Sequence, residues 1–294
     1  MTPQVVARRI AAEFPSLSKS MQRIGTYLLD HPEDVALLSM REQARRAEVP
    51  PVTMTRFAQR LGYAGYDELR GLFAASLRGR VSDFGARAGE LSARRERLGE
   101  PMLALSLANA LVERVAALAE EERLAAIVDA ATRLADARRI FCLGHRSCYA
   151  PAYHFAYVAG LYGAPTQLLD APGGISSDGL GDADTGDALL AVSFAPYTKL
   201  TVDVASSARE VGVGVVALTD SPLSPLARIA DCTIAVPTDV ADATHVTSPA
   251  FAAVEMLAAL LVARSGPKGR AVLAQNEADF ARRRVYWDES ARAN

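Results

Sequence analysis

From residue 138 onward the sequence alternates short apolar runs with longer amphipathic segments, and that alternation restricts the chain to few architectures. Ile140 to Leu143, Thr166 to Leu169, and residues 188–193, 213–218 and 232–236 are short and apolar. Runs of that length suit strands buried on both faces. Helical segments at 147–162 and 200–211, a short helix from Pro222 and a last helix from Pro249 to Ala263 complete the pattern. Such an order predicts a parallel five-stranded sheet covered by helices on both faces. Ligands of such sheets bind beyond the carboxyl ends of the strands, where the strand order reverses.

The expected strand ends carry polar side chains. Gly144, His145, Arg146, Ser147 and Cys148 follow the first run, and Thr219, Asp220 and Ser221 follow the fourth. After the third run the chain passes Ser193, Pro196, Tyr197, Thr198 and Lys199 before a helix begins. Thr198 suits a helix cap, and with Ser193 and the first-turn N–H groups it also suits an anion site. After the fifth run come Thr244, His245, Thr247 and Ser248, with Ser248 expected to cap and Pro249 to open the last helix. Hydroxyls, backbone amides and the Arg146 guanidinium together fit a phosphorylated polyol. The candidate effector contacts are Gly144, His145, Arg146, Ser147, Cys148, Ser193, Tyr197, Thr198, Lys199, His245 and Ser248.

The front of the chain reads differently. Residues 4–14 and the segment capped by Ser18 are amphipathic helices, and His31 falls at the end of the second, where it needs no chemical role. In 39–63, SMREQARRAEVPPVTMTRFAQRLGY, a short helix with Met40, Ala44 and Ala47 inward meets a corner at Val49-Pro50-Pro51. A second helix follows with Met54, Phe57, Ala58 and Leu61 buried and Gly62 closing it. Thr53, Arg56, Gln59 and Arg60 then face outward, with Thr55 on the flank. That is a helix-turn-helix arrangement. Arg reads guanine or phosphate, Gln pairs with adenine, and Thr meets phosphate or a thymine methyl.

A chain of 294 residues calls for two domains. Residues 1–98 hold sixteen Arg or Lys against eleven Asp or Glu, a net of +5; the remainder holds sixteen against twenty-three, a net of −7. A basic front joined to an acidic body suits a polyanion partner at the front. Three cysteines, Cys142, Cys148 and Cys232, support neither a disulfide scaffold nor a metal site and fit a reducing cytoplasm. No signal pattern or long apolar span is evident in the sequence, so no membrane role is expected, and no cofactor is implied. The Gly- and Arg-rich residues 78–100 read as a partly helical linker between domains at 1–77 and 101–294. Helices at 102–119 and 121–136 follow it. The stripe Leu103, Leu107, Ala110, Leu111, Val115 and Leu118 reads as ordinary packing or a subunit interface, packing being the commoner use.

The block SMREQARRAEVPPVTMTRFAQRLGYAGYDELR resembles the N-terminal domain of the RpiR (MurR/RpiR) family of bacterial transcription regulators. Ala44, Val49, Thr53, Arg56, Leu61, Gly62, Tyr63, Gly65, Tyr66 and Leu69 carry the likeness. Pro50 departs from it, standing where a capping Ser is usual; the lost cap costs about 1 kcal/mol. The second half resembles the sugar isomerase (SIS) domain, flavodoxin-like in shape. TDSPLSPLA (219–227) matches its fourth-strand loop closely. The first loop, "GxGxS" in that domain, keeps Gly144, has Arg146 at the second Gly and Cys148 at the Ser. The third, "SxSGxT", keeps Ser193 and Thr198 and has Ala195 and Pro196 between them. The resemblance implies an all-α DNA-binding domain joined to an α/β effector domain. It makes the chain a repressor controlled by a phosphorylated sugar or sugar acid, at least dimeric through its C-terminal half. SIS domains also occur in sugar-phosphate isomerases; that alternative requires a general base among Glu255, His145, His154 and His245. A catalyst fused to a DNA reader would destroy its own signal, which favours the regulator. A purely structural interaction module leaves the loop hydroxyls unexplained.

Overall fold

A computed structural model describes residues 6, 9–10, 13–31, 34–35, 38–80, 84–170, 178–222, 224–238 and 247–287; for 15, 30, 74–80 and 84–87 it describes the backbone alone. The N-terminal part contains α1 (Lys19–Asp30), α2 (Met40–Arg46), α3 (Pro51–Arg60) and α4 (Tyr66–Arg80). Ser18 and Ser39 cap α1 and α2, accepting from the Met21 and Glu42 amides at 3.4 and 3.3 Å. The residue preceding α3 is Pro50, which supplies no side-chain cap, and Pro51 takes the first helical position. Gly62, at φ +82°, ends α3 in the left-handed region. There the Gly62 amide donates to Gln59 and the Tyr63 amide to Ala58, a doubly bonded helix stop that a side chain would strain.

The predicted inward residues Met54, Phe57, Ala58 and Leu61 are buried with Ile10, Ile24, Leu28 and Leu69 in one core. Gln43 is fully buried within it. Its amide donates to the Val35 and Leu38 carbonyls at 3.0 and 2.8 Å, and its oxygen accepts from the Tyr66 hydroxyl. One side chain thereby holds α2 to the preceding turn and to α4, which fixes the angle at which α3 is presented.

α4 runs past residue 77, and α5 (Phe84–Leu98) occupies most of the stretch expected to be a linker. α6 (Glu100–Ala116) and α7 (Glu121–Asp136) lead into the sheet. There follow β1 (Ile140–Gly144), α8 (Tyr149–Leu161), β2 (Thr166–Leu168), β3 (Ala188–Val192), α9 (Lys199–Glu210), β4 (Gly214–Thr219), β5 (Cys232–Ala235) and α10 (Ser248–Arg282). The five strands are parallel in the order β2-β1-β3-β4-β5. Side chains alternate across the sheet as strand geometry demands. Cys142, Leu190, Val216 and Ile234 pack with Ile127, Phe155 and Leu257 on one face. Phe141, Leu189, Val215 and Ala217 pack with Val204, Ala205 and Ala208 on the other.

The register is pinned at the amino end of the sheet. The Asp187 side chain is inaccessible to solvent and accepts from Arg138 at 2.9 Å and from Arg139 at 2.8 Å, and Arg139 reaches on to Asp182. Bonds from the two guanidinium groups hold the Asp187 carboxyl far below the usual carboxylate range.

Five expectations are corrected. The segment after Pro222 forms turns, with the Ser224 hydroxyl accepting from the Ala227 amide at 3.0 Å. Thr247 precedes α10 as its boundary residue, so Ser248 is the first helical residue and Pro249 the second; a proline fits either, since first-turn N–H groups have no intrahelical partner. The last helix does not stop at Ala263. It bends at Gly266 (φ 57°, ψ −142°), where Pro267 removes a ladder bond, and resumes to Arg282. Its second half is anchored by the Asn276 amide donating to the Leu161 carbonyl at the end of α8. Finally, packing among the described residues does not cover the expected stripe: Leu103 and Leu118 are buried, while Leu111 and Val115 are exposed, and Leu105 and Val112 beside the stripe are 53% and 67% exposed. By length and composition alone, Glu100–Ala119 and Ser248–Arg282 reach mean hydropathies of 1.5 and 1.4, enough for a membrane span, contrary to the sequence expectation.

Candidate functional site

Two surfaces carry the candidate residues. On α3, Val52, Arg56 and Gln59 are exposed at the i, i+4, i+7 spacing of one helix face, and Thr53 and Thr55 are half-buried beside them. Arg56 makes no ion pair among the described residues. Three neighbouring arginines are committed. Arg45 and Arg46 pair with Glu42, and Arg46 also with Asp34 at 2.7 Å. Arg60, exposed as expected, donates from Nε to Glu13 at 2.9 Å and from Nη2 to Ser16 at 3.3 Å, so its guanidinium also braces the front of the domain. The Thr55 hydroxyl lies 3.8 Å from the Met40 sulfur at the α2–α3 seam.

The second surface is the carboxyl edge of the sheet between β1 and β3, where the strand order reverses. The pairing Gly144↔Val192 and Val192↔Leu218 brings the ends of β1, β3 and β4 level. Gly144 is obligatory: a Cβ there would stand 2.2 Å from the Cys148 carbonyl oxygen, because the chain doubles back at once into a single turn, Arg146–Cys148. Arg146 sits at φ +56° with its side chain exposed. A non-glycine residue in that region costs about 1–2 kcal/mol, and such strain clusters where a side chain must be aimed. His145 Nδ1 lies 2.8 Å from the Thr201 hydroxyl in the first turn of α9, and burial lowers the imidazole pKa, favouring the neutral ring. Burial pushes the Cys148 thiol up, so it stays protonated.

Across from this turn, Ser193 is buried at the end of β3 and Thr198 precedes α9 without making a side-chain cap. The Thr198 hydroxyl caps none of the first-turn N–H groups of α9, while the Thr201 amide donates to the Thr198 carbonyl at 3.0 Å. Tyr197 donates to Asp220 at 2.8 Å, and Lys199 is paired with Asp203 one turn along α9.

Residues 5–78 match the helix-turn-helix domain of the rpiR family, and residues 133–260 match the SIS domain. The chain therefore carries a helix-turn-helix domain of the rpiR type followed by a SIS domain. An HTH-type transcriptional regulator of Caldanaerobacter subterraneus subsp. tengcongensis is 25% identical over 227 residues, 77% of this chain and 78% of that protein. The sugar isomerase domain of an RpiR transcription factor from Sphaerobacter thermophilus is 26% identical and superposes with a TM-score of 0.55 over 60% of this chain and 98% of that one. An Escherichia coli CFT073 protein solved in complex with a sugar phosphate is 18% identical, with a TM-score of 0.50 over 60% and 95% of the two chains; it shares the fold.

In this chain the structure brings Gly144 through Cys148 together with Ser193, Tyr197 and Thr198 on the edge that a ligand of the fold would use. Ser248 opens α10, the helix packed most closely against α8. Lys199 carries a charge already matched by Asp203. His245 lies outside the described residues. Two residues absent from the candidate set stand out. Val52 presents an apolar side chain, 58% exposed, on the same outward side of α3 as Arg56. Asp220 reaches from the end of β4 into the turn after β3, and the acid of the strand-end Thr219-Asp220 pair is its trace in the sequence. The structure places three of the isomerase base candidates. Glu255 lies on an exposed face, 3.6 Å from His154, and His145 is held by Thr201.

Proposed function

We propose that the chain is a cytoplasmic transcriptional repressor, without catalytic activity, that reads operator DNA through α3. In this reading Arg56 bonds a guanine edge, Gln59 an adenine, Val52 packs on a thymine methyl, and Thr53 and Thr55 meet phosphates. Arg60 positions the helix through Glu13. The effector is a phosphorylated sugar or sugar acid at the β1–β3 switch. Its phosphate meets the Ser193 and Thr198 hydroxyls, the first-turn amides of α9 and the Arg146 guanidinium. Residues 1–77 form the DNA-binding domain, and the helices of 78–100 connect it to an effector domain at 101–294 that pairs two copies.

The observation that carries this reading is the α3 face. Of the two arginines on α3, Arg60 is drawn away to Glu13, while Arg56 has no ion pair among the described residues and lies in line with exposed Val52 and Gln59. The E. coli relative of the same fold was solved with a sugar phosphate, which supports that class of effector. The test is a gel-shift titration of Arg56→Ala against the DNA upstream of its own gene. Loss of a bidentate base contact costs about 1–3 kcal/mol, so specific affinity falls at least fivefold with an unchanged melting temperature. Unchanged affinity removes α3 as the reader.

A further inference from the structure

The turn after β3 has the outline of an oxyanion loop, yet its donors point at a side chain of the protein itself. The Ala195 amide lies 3.4 Å from Asp220 Oδ2, and the Tyr197 hydroxyl donates to Asp220 Oδ1 at 2.8 Å. The Thr219 hydroxyl donates to the same oxygen at 3.2 Å. An anion-binding turn works by leaving amide and hydroxyl donors aimed at a vacant position that an oxyanion then fills. Here a carboxylate from the end of β4 stands there. The charge is not cancelled by the nearest lysine in the turn, since Lys199 is paired with Asp203. Arg146 belongs to the opposite turn, after β1.

We propose that Asp220 is a specificity-determining residue of the effector site, an internal carboxylate that excludes a bare phosphate from the Ala195–Tyr197 part of the β3 turn. Resting on the effector reading above, it requires a ligand that presents a hydroxyl or ammonium donor to Asp220 while its anionic group lies toward Thr198 and Arg146. A phosphate dianion placed on the Ala195 amide meets a like charge at contact distance, and that repulsion is stronger between half-buried groups than in open water. A polyol or amino sugar phosphate offers Asp220 an O–H or N–H in place of the Tyr197 hydroxyl, so the same carboxylate that repels phosphate alone contributes to binding the whole ligand. The Ala195-Pro196-Tyr197 sequence fits this arrangement. Ala195 brings no second hydroxyl to bind a phosphate oxygen, and Tyr197 brings a donor for the carboxylate.

The test is isothermal titration of the full chain with inorganic phosphate, comparing wild type with Asp220→Asn, Asp220→Ala and Tyr197→Phe. Removing the charge in either Asp220 variant raises phosphate affinity at least about tenfold, whereas Tyr197→Phe, which keeps the carboxylate, gains nothing. Equal phosphate affinity in wild type and both Asp220 variants overturns the proposal. So does an equal gain in Tyr197→Phe, which would assign the exclusion to packing of the ring. A parallel thermal-shift series with hexose and hexosamine phosphates separates this claim from the effector reading. If the Asp220 variants gain phosphate while no sugar phosphate stabilises wild type, Asp220 excludes phosphate as proposed and the effector reading fails. If sugar phosphates stabilise wild type and the Asp220 variants gain no phosphate, the effector reading stands and the role given to Asp220 fails.

Discussion

Two nearby residues after β1 do opposite things to the backbone. Gly144 is required by contact, and Arg146 occupies a conformation glycine would adopt more easily. Gly144→Ala drives a methyl group into the Cys148 carbonyl, so the melting temperature of the effector domain falls by an amount equivalent to about 1–3 kcal/mol. Arg146→Gly relieves the left-handed strain, so its melting temperature is unchanged or higher while the response to the effector is lost. Differential scanning calorimetry with and without ligand separates the two outcomes. Asp187 gives a pH signature. Its carboxyl is held below its unfolded value near 4 by Arg138 and Arg139. The stability it supplies is therefore fully present above that value and drains away as pH falls through the folded one. The wild-type melting temperature should be flat above about pH 5 and decline below about pH 4. Asp187→Asn should lose about 2–3 kcal/mol at neutral pH, the scale of hydrogen bonds to a charged group, and decline less steeply in acid. Parallel melts from pH 3 to 7 check both statements.

Among elements, those set by periodicity were legible from the sequence and those set by contacts were not. The buried face of α3 follows from Met54, Phe57, Ala58 and Leu61 recurring at helical spacing, and the sheet from five short apolar runs; both stand in the structure. The effector edge followed from the strand ends, because a parallel sheet always presents them together. Three features escaped. Arg60 reads outward on a helical wheel, yet its long side chain bends to Glu13, forty-seven residues away. The second half of α10 was hidden by Gly266-Pro267, a pair that normally ends a helix and here only bends it. Asp220 was invisible as a site residue because its reach into the β3 turn depends on the β3–β4 register. α6 shows the same limit from the other side. Its stripe reads as packing or a subunit interface, and Leu111 and Val115 in it stand exposed, as do Leu105 and Val112 beside it. A two-fold reader of paired half-sites needs such a surface. The full chain should therefore run as a dimer or larger assembly in light scattering, and Val112→Glu should shift it toward monomer with its helical content intact. A wild-type monomer at micromolar concentration would remove α6 as the interface.

At the scale of the whole molecule, a basic helical reader and an acidic α/β sensor share one chain, and the account stands on their coupling. Effector binding at the β1–β3 edge must change operator affinity, or the two halves are merely adjacent. The direct measurement is operator binding by fluorescence anisotropy in the presence of whichever sugar phosphate most raises the melting temperature. That ligand should weaken operator affinity at least tenfold, and Ser193→Ala/Thr198→Ala, folded and still bound to DNA, should no longer respond. An operator affinity that no stabilising sugar phosphate alters, or a double variant that responds as wild type does, would contradict the account.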